Sequence, residues 1–201
     1  TDGKTTAPAD TTASKAKKTT KISTLHLFDL ATGDTLNFQQ VDQYDFNKAG
    51  DKLVFTKKTE AKDSTSNIAG VYLYDLTNKT LKKITNGRGT YKNFTFDDFG
   101  NQLAYLGDRS AEKSLVKDFN LYYYTAQLDT ARIAVQKNTT GVPANWAVSG
   151  DGDLKFSKNG QKLFLGLAPI PRVRDTTLVD FEHAKVDVWH WQDDYLQPQQ
   201  L

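Results

Sequence analysis

Few residues in this 201-residue chain have the type and spacing that catalysis needs. A serine nucleophile of the hydrolase kind lies in a G-x-S-x-G string, and the nearest text here, AVSGDG around Ser149, lacks the first glycine. The histidines His26, His183 and His190 are scattered, and no HExxH string occurs. Cysteine is absent, which excludes disulfides, thiol nucleophiles and cysteine-bound zinc. We therefore predict no catalytic residue, no metal site and no cofactor for this chain.

One acidic stretch has some features of a calcium-binding loop. SGDGDLKFS places Asp151 and Asp153 at a spacing that calcium loops also use. The stretch lacks the glycine at the sixth position and the distal glutamate of an EF-hand loop. Aspartate-rich turns between strands are common, so we expect a turn here and no calcium site.

The residues best placed to touch a ligand lie between 170 and 191. Four charged residues, Arg172, Arg174, Glu182 and Asp187, fall in or beside the longest predicted loop, where they could meet the charged end of a substrate. A Trp-His-Trp run follows on a predicted strand, with the tryptophans on one face and the histidine on the other. Solvated loop charges and structural packing are the ordinary alternatives for these residues. The candidate substrate or partner contacts are Glu182, Arg172, Arg174, Trp189, His190 and Trp191.

Composition narrows the class of protein. Net charge is +2, from 26 basic and 24 acidic residues, which argues against a nucleic-acid surface because such a surface needs a concentrated basic face. No apolar run approaches the ~20 residues that span a membrane. Residues 1–22 are rich in Thr, Ala and Lys and have almost nothing to bury, so we predict a flexible linker or tail.

A ten-residue frame occurs three times after this tail. It reads FNKAGDKLVF at 46–55, FDDFGNQLAY at 96–105 and FSKNGQKLFL at 156–165. Each copy has Phe first, Gly fifth, Leu eighth and a large apolar residue tenth. The pattern predicts a strand A, a tight turn made by the glycine, and a strand B. We expect the first-position phenylalanine to pack between repeats and the leucine to enter the core.

Two further strands, C and D, follow each frame. The predicted strands A to D are 41–46, 52–57, 70–76 and 80–85 in the first repeat, and 91–96, 102–107, 119–127 and 131–136 in the second. The third repeat is looser, with A within 146–157, B at 162–169 and C at 185–192. Upstream, residues 24–38 match strands C and D of a unit whose A and B are missing.

Four-stranded repeats of ~40–50 residues are typical of β-propeller blades. Strand C supports this interpretation because it is apolar on both faces, with Val71 and Leu73 on one and Tyr72, Tyr74 and Leu76 on the other. A strand of this kind needs cover on both sides. A β-sandwich is the structural alternative, but it does not require repeats in register.

The fold class predicted is therefore all-β, a β-propeller fragment of roughly 3.5 four-stranded antiparallel blades. Closed propellers have about four to eight blades, so we expect a piece of a larger propeller from a longer protein. The predicted parts are a linker at 1–22, a half blade at 23–40, and blades at 41–88, 89–140 and 141–201.

The connections between strands B and C are long, at about 58–69, 108–118 and 169–184. Loops of this length are uncommon unless they have a function or are disordered. They occupy the same connection in each blade, so we expect them on the same face. The middle loop, SAEKSLVKDF, has the composition of a short helix.

The frame followed by YxYDLxxxxLxxIT, as at 72–85, resembles the propeller repeats of the prolyl oligopeptidase family and of TolB-type proteins. Residues 163–201 resemble more specifically a segment of exported prolyl oligopeptidase-like serine peptidases of Bacteroidetes. Ala168-Pro169, Asp175-Thr176-Thr177, Asp180-Phe181-Glu182 and the run DVWHWQDDYLQPQQ carry that resemblance.

The resemblance implies a non-catalytic role for this chain. In that family the catalytic residues lie on a C-terminal α/β-hydrolase domain, and nothing here matches them. The propeller restricts access to the active site, and some members hold the substrate N-terminus with propeller glutamates, which makes Glu182 the residue to watch. The implied partners are that hydrolase domain and a peptide substrate. The implied location is exported, either periplasmic or at the cell surface.

Two other functions fit the same residues. The first is a TolB-like propeller module that binds a protein partner through its loop face. The second is a surface carbohydrate-binding β domain, in which Trp189, Trp191 or Tyr195 would contact sugar.

Overall fold

The computed structural model describes residues 23–59, 68–111 and 114–173. Every helix or strand in these ranges is a β-strand, which confirms the predicted all-β class. The described part of the chain contains no helix with the length and apolar character that a membrane crossing requires. The strands are β1 (Ser23–Phe28), β2 (Thr35–Phe46), β3 (Lys52–Lys57), β4 (Gly70–Asp75), β5 (Thr80–Asn86), β6 (Thr90–Phe96), β7 (Gln102–Asp108), β8 (Phe119–Thr125), β9 (Arg132–Val135), β10 (Trp146–Val148), β11 (Lys155–Phe156), β12 (Leu163–Phe164) and β13 (Leu167–Pro169).

The predicted strands A to D of the first two blades are confirmed. β2, β3, β4 and β5 pair in sequence order as an antiparallel meander, and so do β6, β7, β8 and β9. β3 and β4 pair over six residues, and β7 and β8 pair over seven. The hydrogen-bond register is therefore most regular in the middle of each blade, between strands B and C.

Strand β2 joins two predicted strands. Its first half pairs with β1 and its second half pairs with β3, so one strand serves as D of the half blade and as A of the first blade. Gln40, with φ of 62°, lies where the two halves meet. The sheet runs across residues 40 and 41, and the assignment of 23–40 to a separate half blade stays a prediction.

The third blade is looser, as its sequence suggests. Its strand A is divided into β10 and β11, and its strand B into β12 and β13. β10 pairs with β13 and also with the first residue of β8, through Val148 and Phe119. The same link occurs upstream, where Ser23 at the start of β1 pairs with Val41. Neighbouring blades therefore share backbone pairing where one strand C begins and the next strand A passes.

Alternate residues of the central strands face different neighbours, as the two-faced apolar pattern predicts. On β3, Val54 packs toward the second blade, whereas Leu53 and Phe55 pack toward the half blade. On β7, Leu103 and Tyr105 pack toward the first blade, and Ala104 and Leu106 toward the third. The central strands of the first and second blades are thus covered on both faces.

The largest core lies between the first and second blades. Tyr105 and Tyr122 stack there with ring centroids 5.4 Å apart, and the Tyr91 ring meets both edge-on. The Tyr105 hydroxyl hydrogen-bonds with the Thr85 hydroxyl, and the Tyr91 hydroxyl donates to the Gly87 carbonyl at 3.1 Å. Burial raises the pKa of Tyr91 to about 12. The polar tips of Tyr105 and Tyr91 therefore have hydrogen-bonding partners within this core.

Face-to-face stacking of four-stranded antiparallel meanders is the arrangement of β-propeller blades. Two cores separate the first, second and third blades, and a further core lies within the five-stranded sheet, between its β1–β2 part and its β3–β4 part. The described chain is therefore a series of propeller blades, as the repeat predicts.

The A–B turns of the three frames have the same hydrogen bonds. The glycine amide donates to the carbonyl of the second frame residue, with distances of 3.0, 3.0 and 2.8 Å at Gly50, Gly100 and Gly160. These glycines have φ between 67° and 74°, a region that other residues enter at a cost. The glycine prediction is confirmed at all three turns.

Consecutive A–B turns are also bonded to each other. The Lys52 ammonium donates to the Gly100 carbonyl, and the Gln102 amide donates to the Gly160 carbonyl at 2.9 Å. Lys52 and Gln102 occupy the same, seventh position of the frame. Lys48 also pairs with Asp98 at 3.2 Å, across the first and second blades. The frame therefore supplies both the tight turn and a side-chain hydrogen bond to the turn of the next blade.

Two sequence expectations are wrong in part. Phe96 and Phe156 pack between blades, but Phe46 is 39% exposed because no described residue covers it on the side of the half blade. Residues 110, 111 and 114–118 of the middle B–C loop are bends and irregular chain, not helix. Leu53 and Leu103 are buried as expected, while Leu163 is half-buried at the edge of its core.

Candidate functional site

A cleft lies at the end of the blades that carries the B–C loops. It has a volume of about 770 Å³, within the range of ligand pockets. The second blade contributes its B–C loop, and the third contributes strand β10 and the start of its own B–C loop. The described parts of these two loops therefore lie beside each other, and the common face of all three B–C loops stays a prediction. We call this cleft the loop cleft; it is lined by Lys92, Leu115, Phe119, Asp151, Pro169 and Ile170, among others.

A buried carboxylate fixes one wall of the loop cleft. Asp108 ends β7 and is only 1% exposed. Its Oδ1 accepts from the Ser110 and Asp118 amides at 2.9 and 3.2 Å, and its Oδ2 accepts from the Ser110 hydroxyl at 2.9 Å. Lys117 Nζ lies 3.4 Å from the same Oδ2. Asp108 thus ties both ends of the B–C loop together.

The ionisation of Asp108 follows from these contacts. Burial alone raises the pKa of the carboxyl group, but the hydrogen bonds from Ser110, Asp118 and Lys117 outweigh burial, so the pKa lies below its ordinary value. The group is therefore a carboxylate at neutral pH. Because it has four hydrogen-bonding or ionic contacts inside the loop, its role is to hold the loop rather than to transfer a proton.

The charges on the loop cleft are paired with one another. Lys137 Nζ lies 2.8 Å from Asp118 Oδ2, and Lys92 Nζ lies 3.5 Å from Asp151 Oδ1. Lys92 Nζ also lies 4.8 Å from the centroid of the Phe119 ring, in cation–π range. The cleft surface therefore combines paired positive and negative side chains with the aromatic ring of Phe119.

Apolar side chains border the cleft and face solvent. Leu115 is 64% exposed on the second blade's loop, and Ile170 is exposed on the third blade's loop between Pro169 and Pro171. Exposed apolar side chains beside paired charges suit a ligand that is amphiphilic and carries little net charge. An extended peptide segment has these properties, and holding it requires contacts but no covalent chemistry.

Only one of the six predicted contact residues lies in the described part of the chain. Arg172 is exposed and follows Pro171, which lines the loop cleft. Arg174, Glu182, Trp189, His190 and Trp191 lie outside the described residues. Their roles stay predictions.

The described residues add two facts about the chemistry considered above. Ser149 lines the loop cleft, where its hydroxyl accepts from the Asp151 amide at 3.2 Å. Across residues 23–59, 68–111 and 114–173, no group of three or more His, Cys, Asp or Glu side chains is close enough to hold a metal ion. Asp151 and Asp153 are both exposed.

A smaller cleft of about 280 Å³ lies between the A–B turns of the first and second blades. Lys52, Asp75, Thr80, Gly100 and Gln102 are among its lining residues. Two of these side chains, Lys52 and Gln102, already bond to the turn of the next blade. We therefore regard this cleft as part of the junction between blades.

No protein-family model and no curated protein matches the sequence. Solved structures do resemble the fold. The β-propeller domain of the Trilobed protease from Pyrococcus furiosus aligns with 76% of this chain and 48% of its own, at 11% identity and a TM-score of 0.46. The Pyrococcus horikoshii acylaminoacyl peptidase aligns with 56% of this chain and 20% of its own, at 12% identity and a TM-score of 0.40. The chain thus spans about half of the first structure's length and about a fifth of the second's.

Sequence reasoning missed the residues that build the loop cleft. Asp108 has a local signal, because a strand-ending aspartate two residues before a serine is a frequent turn former. Lys92 and Phe119 have none, since they are 27 residues apart and meet only through the pairing of β6, β7 and β8.

Proposed function

We propose that this chain is a non-catalytic β-propeller segment of a prolyl oligopeptidase-like serine peptidase, of the exported Bacteroidetes type that its last 39 residues resemble. In this role it restricts and selects the peptides that reach a hydrolase domain elsewhere in the same protein. The observation that supports the proposal is the loop cleft, where two B–C loops from adjacent blades form one surface suited to an extended peptide.

The physical argument concerns access. Blades joined by three apolar cores form a stiff wall, so peptides approaching along the loop face would meet residues in fixed positions. Leu115 and Ile170 offer apolar contact, and the Lys92–Asp151 pair offers hydrogen-bonding partners for peptide backbone. A surface of this kind discriminates by the length and shape of the peptide.

The first test reads the coding sequence downstream of Leu201 in the source genome. We expect it to continue through further blades into a hydrolase domain with a G-x-S-x-G serine. A stop codon directly after Leu201 would eliminate the peptidase proposal.

The second test uses the full-length protein and a series of peptide substrates of increasing length. We expect Leu115→Asp to change kcat/KM for long peptides several-fold and to leave that for the shortest substrates unchanged, because only long peptides reach the loop cleft. Leu30→Asp is the matched control, since Leu30 is 93% exposed and does not line the cleft. Equal effects on short and long peptides would contradict selection at this surface.

A second candidate is a TolB-like module that binds a protein partner through the same face. The exposure of Leu115, Ile170 and Val173 favours it, since exposed apolar side chains on one rim often mark protein contacts. A photo-crosslinking residue at position 115 would then capture one defined partner, whereas the same residue at position 30 would not. The two candidates differ in whether that partner is a peptide substrate or a folded protein.

A further inference from the structure

We propose that Lys92 binds the C-terminal carboxylate of a peptide in the loop cleft, so that the cleft selects peptides ending in a free carboxylate and an apolar side chain. This inference rests on the proposed function, because it names the end of the peptide that the cleft would hold. Four observations support it. They concern the position of the Lys92 ammonium group, its present ion pair, the other lysines of the cleft and the apolar residues beside it.

The first observation is that the Lys92 side chain is held in place. Lys92 lies on β6, where its backbone pairs with Leu106 of β7. Its ammonium nitrogen lies 4.8 Å from the centroid of the Phe119 ring, and its side chain is 29% exposed. A Cβ placed on Gly150 would lie 3.1 Å from that nitrogen and 2.5 Å from the Phe119 ring, so the glycine leaves room for both groups. Binding a ligand therefore requires little further ordering of this cation.

The second observation is that the present partner of Lys92 is weakly held. The ammonium nitrogen lies 3.5 Å from Asp151 Oδ1, whereas charge-assisted hydrogen bonds between an ammonium group and a carboxylate measure about 2.7–2.9 Å. The Asp151 side chain is also fully exposed. An ion pair with an exposed partner contributes little, because water solvates the exposed charge. An incoming carboxylate can therefore replace Asp151 at small cost.

The third observation is that the other lysines lining the described part of the cleft are held more firmly. Lys137 Nζ lies 2.8 Å from Asp118 Oδ2, and the hydrogen bond to Asp118 raises the pKa of Lys137 above its ordinary value. Lys117 Nζ lies 3.4 Å from Asp108, a carboxylate that is only 1% exposed. Lys92 is thus the lysine of the loop cleft whose acidic partner is most readily displaced.

The fourth observation is the apolar surface that shares the cleft with Lys92. Phe119 and Val148 pair across β8 and β10 in the cleft, and Leu115 and Ile170 lie exposed on the two loops that border it. In a peptide, the last side chain and the terminal carboxylate are attached to the same carbon atom. A carboxylate bound to Lys92 would therefore bring an apolar last side chain to this surface, where its removal from water stabilises the complex.

The opposite end of a peptide fits the cleft less well. A peptide N-terminus carries an ammonium group, which needs a carboxylate. Among the described residues that line the cleft, the carboxylates are Asp118 and Asp151. Asp118 is bonded to Lys137, and Asp151 lies fully in water, where an ion pair is screened. Lys92 is partly buried and gives the stronger contact, so the geometry favours the C-terminus.

The test measures the binding of three hexapeptides, each labelled at its N-terminus, to the full chain by fluorescence anisotropy. The first is Gly-Ser-Gly-Ser-Ala-Leu with a free carboxylate, and the second is the same peptide with a C-terminal amide. The third is an amide that ends in glutamate instead of leucine, so its carboxylate is on the side chain. We expect the free acid to bind about tenfold more tightly than either amide, because only the free acid carries both a terminal carboxylate and an apolar last side chain.

Variants of the cleft assign this difference to Lys92. Lys92→Met keeps an apolar stem over Phe119 and removes the charge, so the free acid and its amide should bind equally, whereas Lys92→Arg should retain the preference. Asp151→Asn removes a competing carboxylate at a fully exposed position, where the fold is unaffected. It should tighten binding of the free acid about two- to threefold and leave the amide unchanged. Lys137→Met is the matched control, since it removes the same charge from the same cleft and should leave the ratio of the two affinities unchanged.

Four results would overturn the inference. Equal binding of the free acid and its amide would show that the cleft holds peptides without selecting their C-terminus, and it would leave the proposed function standing. Equal binding of the first and third peptides would show that the cleft recognises any carboxylate. A preference for the free acid that survives Lys92→Met, or that Lys137→Met abolishes as well, would assign the recognition to other residues. No binding of any peptide would contradict a peptide-binding cleft, and with it the proposed function.

Discussion

The junction between the first and second blades and the junction between the half blade and the first blade each contain an apolar core, but among the described residues only the first also has side-chain bonds between its A–B turns. At the first junction Tyr105 is fully buried. The turns at Gly50 and Gly100 are connected there by a hydrogen bond from Lys52 and by the Lys48–Asp98 ion pair. At the second, Phe46 is exposed. The frame specifies which apolar and hydrogen-bonding side chains a blade presents at its surface. Whether those side chains stabilise the fold depends on whether a neighbouring blade contacts them.

The largest test of this comparison truncates the same phenylalanine in two blades. Phe156→Ala should cost about 3–5 kcal/mol of unfolding free energy, because it removes a buried ring from the core between the second and third blades. Phe46→Ala should cost about 1 kcal/mol or less, because its ring is already partly in water. Urea unfolding of the two variants measures both values. Equal losses would mean that Phe46 is covered in solution.

The turn glycines give the next largest effect. Both Gly50→Ala and Gly100→Ala should lose about 1–2 kcal/mol from the positive φ. Gly100→Ala should lose about 1–3 kcal/mol more, because the new Cβ displaces the Asn47 side chain. Asn47 is not free to yield, since its Oδ1 accepts from the Lys52 amide and its Nδ2 donates to Asp51. Thermal unfolding compares the variants; identical Tm values would refute the contact between blades.

A third comparison sets Asp108 against its frame equivalent in the first blade, Lys58. Asp108→Asn should cost about 1.5 kcal/mol at pH 7, because an amide cannot replace every bond that the carboxylate accepts. Asp42→Asn, which removes the partner of the more exposed Lys58, should cost less.

The Asp108 effect should depend on pH. The folded pKa lies below the unfolded value of 3.8, so the stabilisation is fully present above pH 3.8 and is lost as pH falls through the folded pKa. The free energies of unfolding of wild type and Asp108→Asn should therefore converge in acid. A difference that stays constant from pH 7 to pH 2 would show that the charge of Asp108 is not what matters.

The smallest expected effect belongs to the Lys48–Asp98 pair, which links the same two turns from outside. A double-mutant cycle with Lys48→Ala and Asp98→Ala should give a coupling of about 0–1 kcal/mol that falls with added salt, because both side chains are well exposed. A coupling free energy as large as the loss expected for Gly100→Ala would show that charge, and not packing, is the main interaction between the two turns.

The strands and turns of the first two blades were predictable because their signals are local. Alternation of apolar residues placed Leu53 and Val54 on opposite faces, and a positive-φ turn requires Gly50 and Gly100 wherever they lie. The loop cleft was not predictable, because Lys92, Phe119 and Asp151 come from three separate segments. Their approach depends on sheet pairing, which periodicity alone does not specify.

By itself, the sequence determined the all-β class, the order of strands A to D and the three glycine turns, because these depend on side-chain alternation and local backbone conformation. Only the tertiary structure decided which equivalents are buried. Phe46 and Phe156 share a frame position, yet one is exposed and the other is in a core. The physical reason is that a side chain is buried only when two surfaces come into contact. One strand's residues can prepare an apolar face, but only a neighbouring blade can remove it from water.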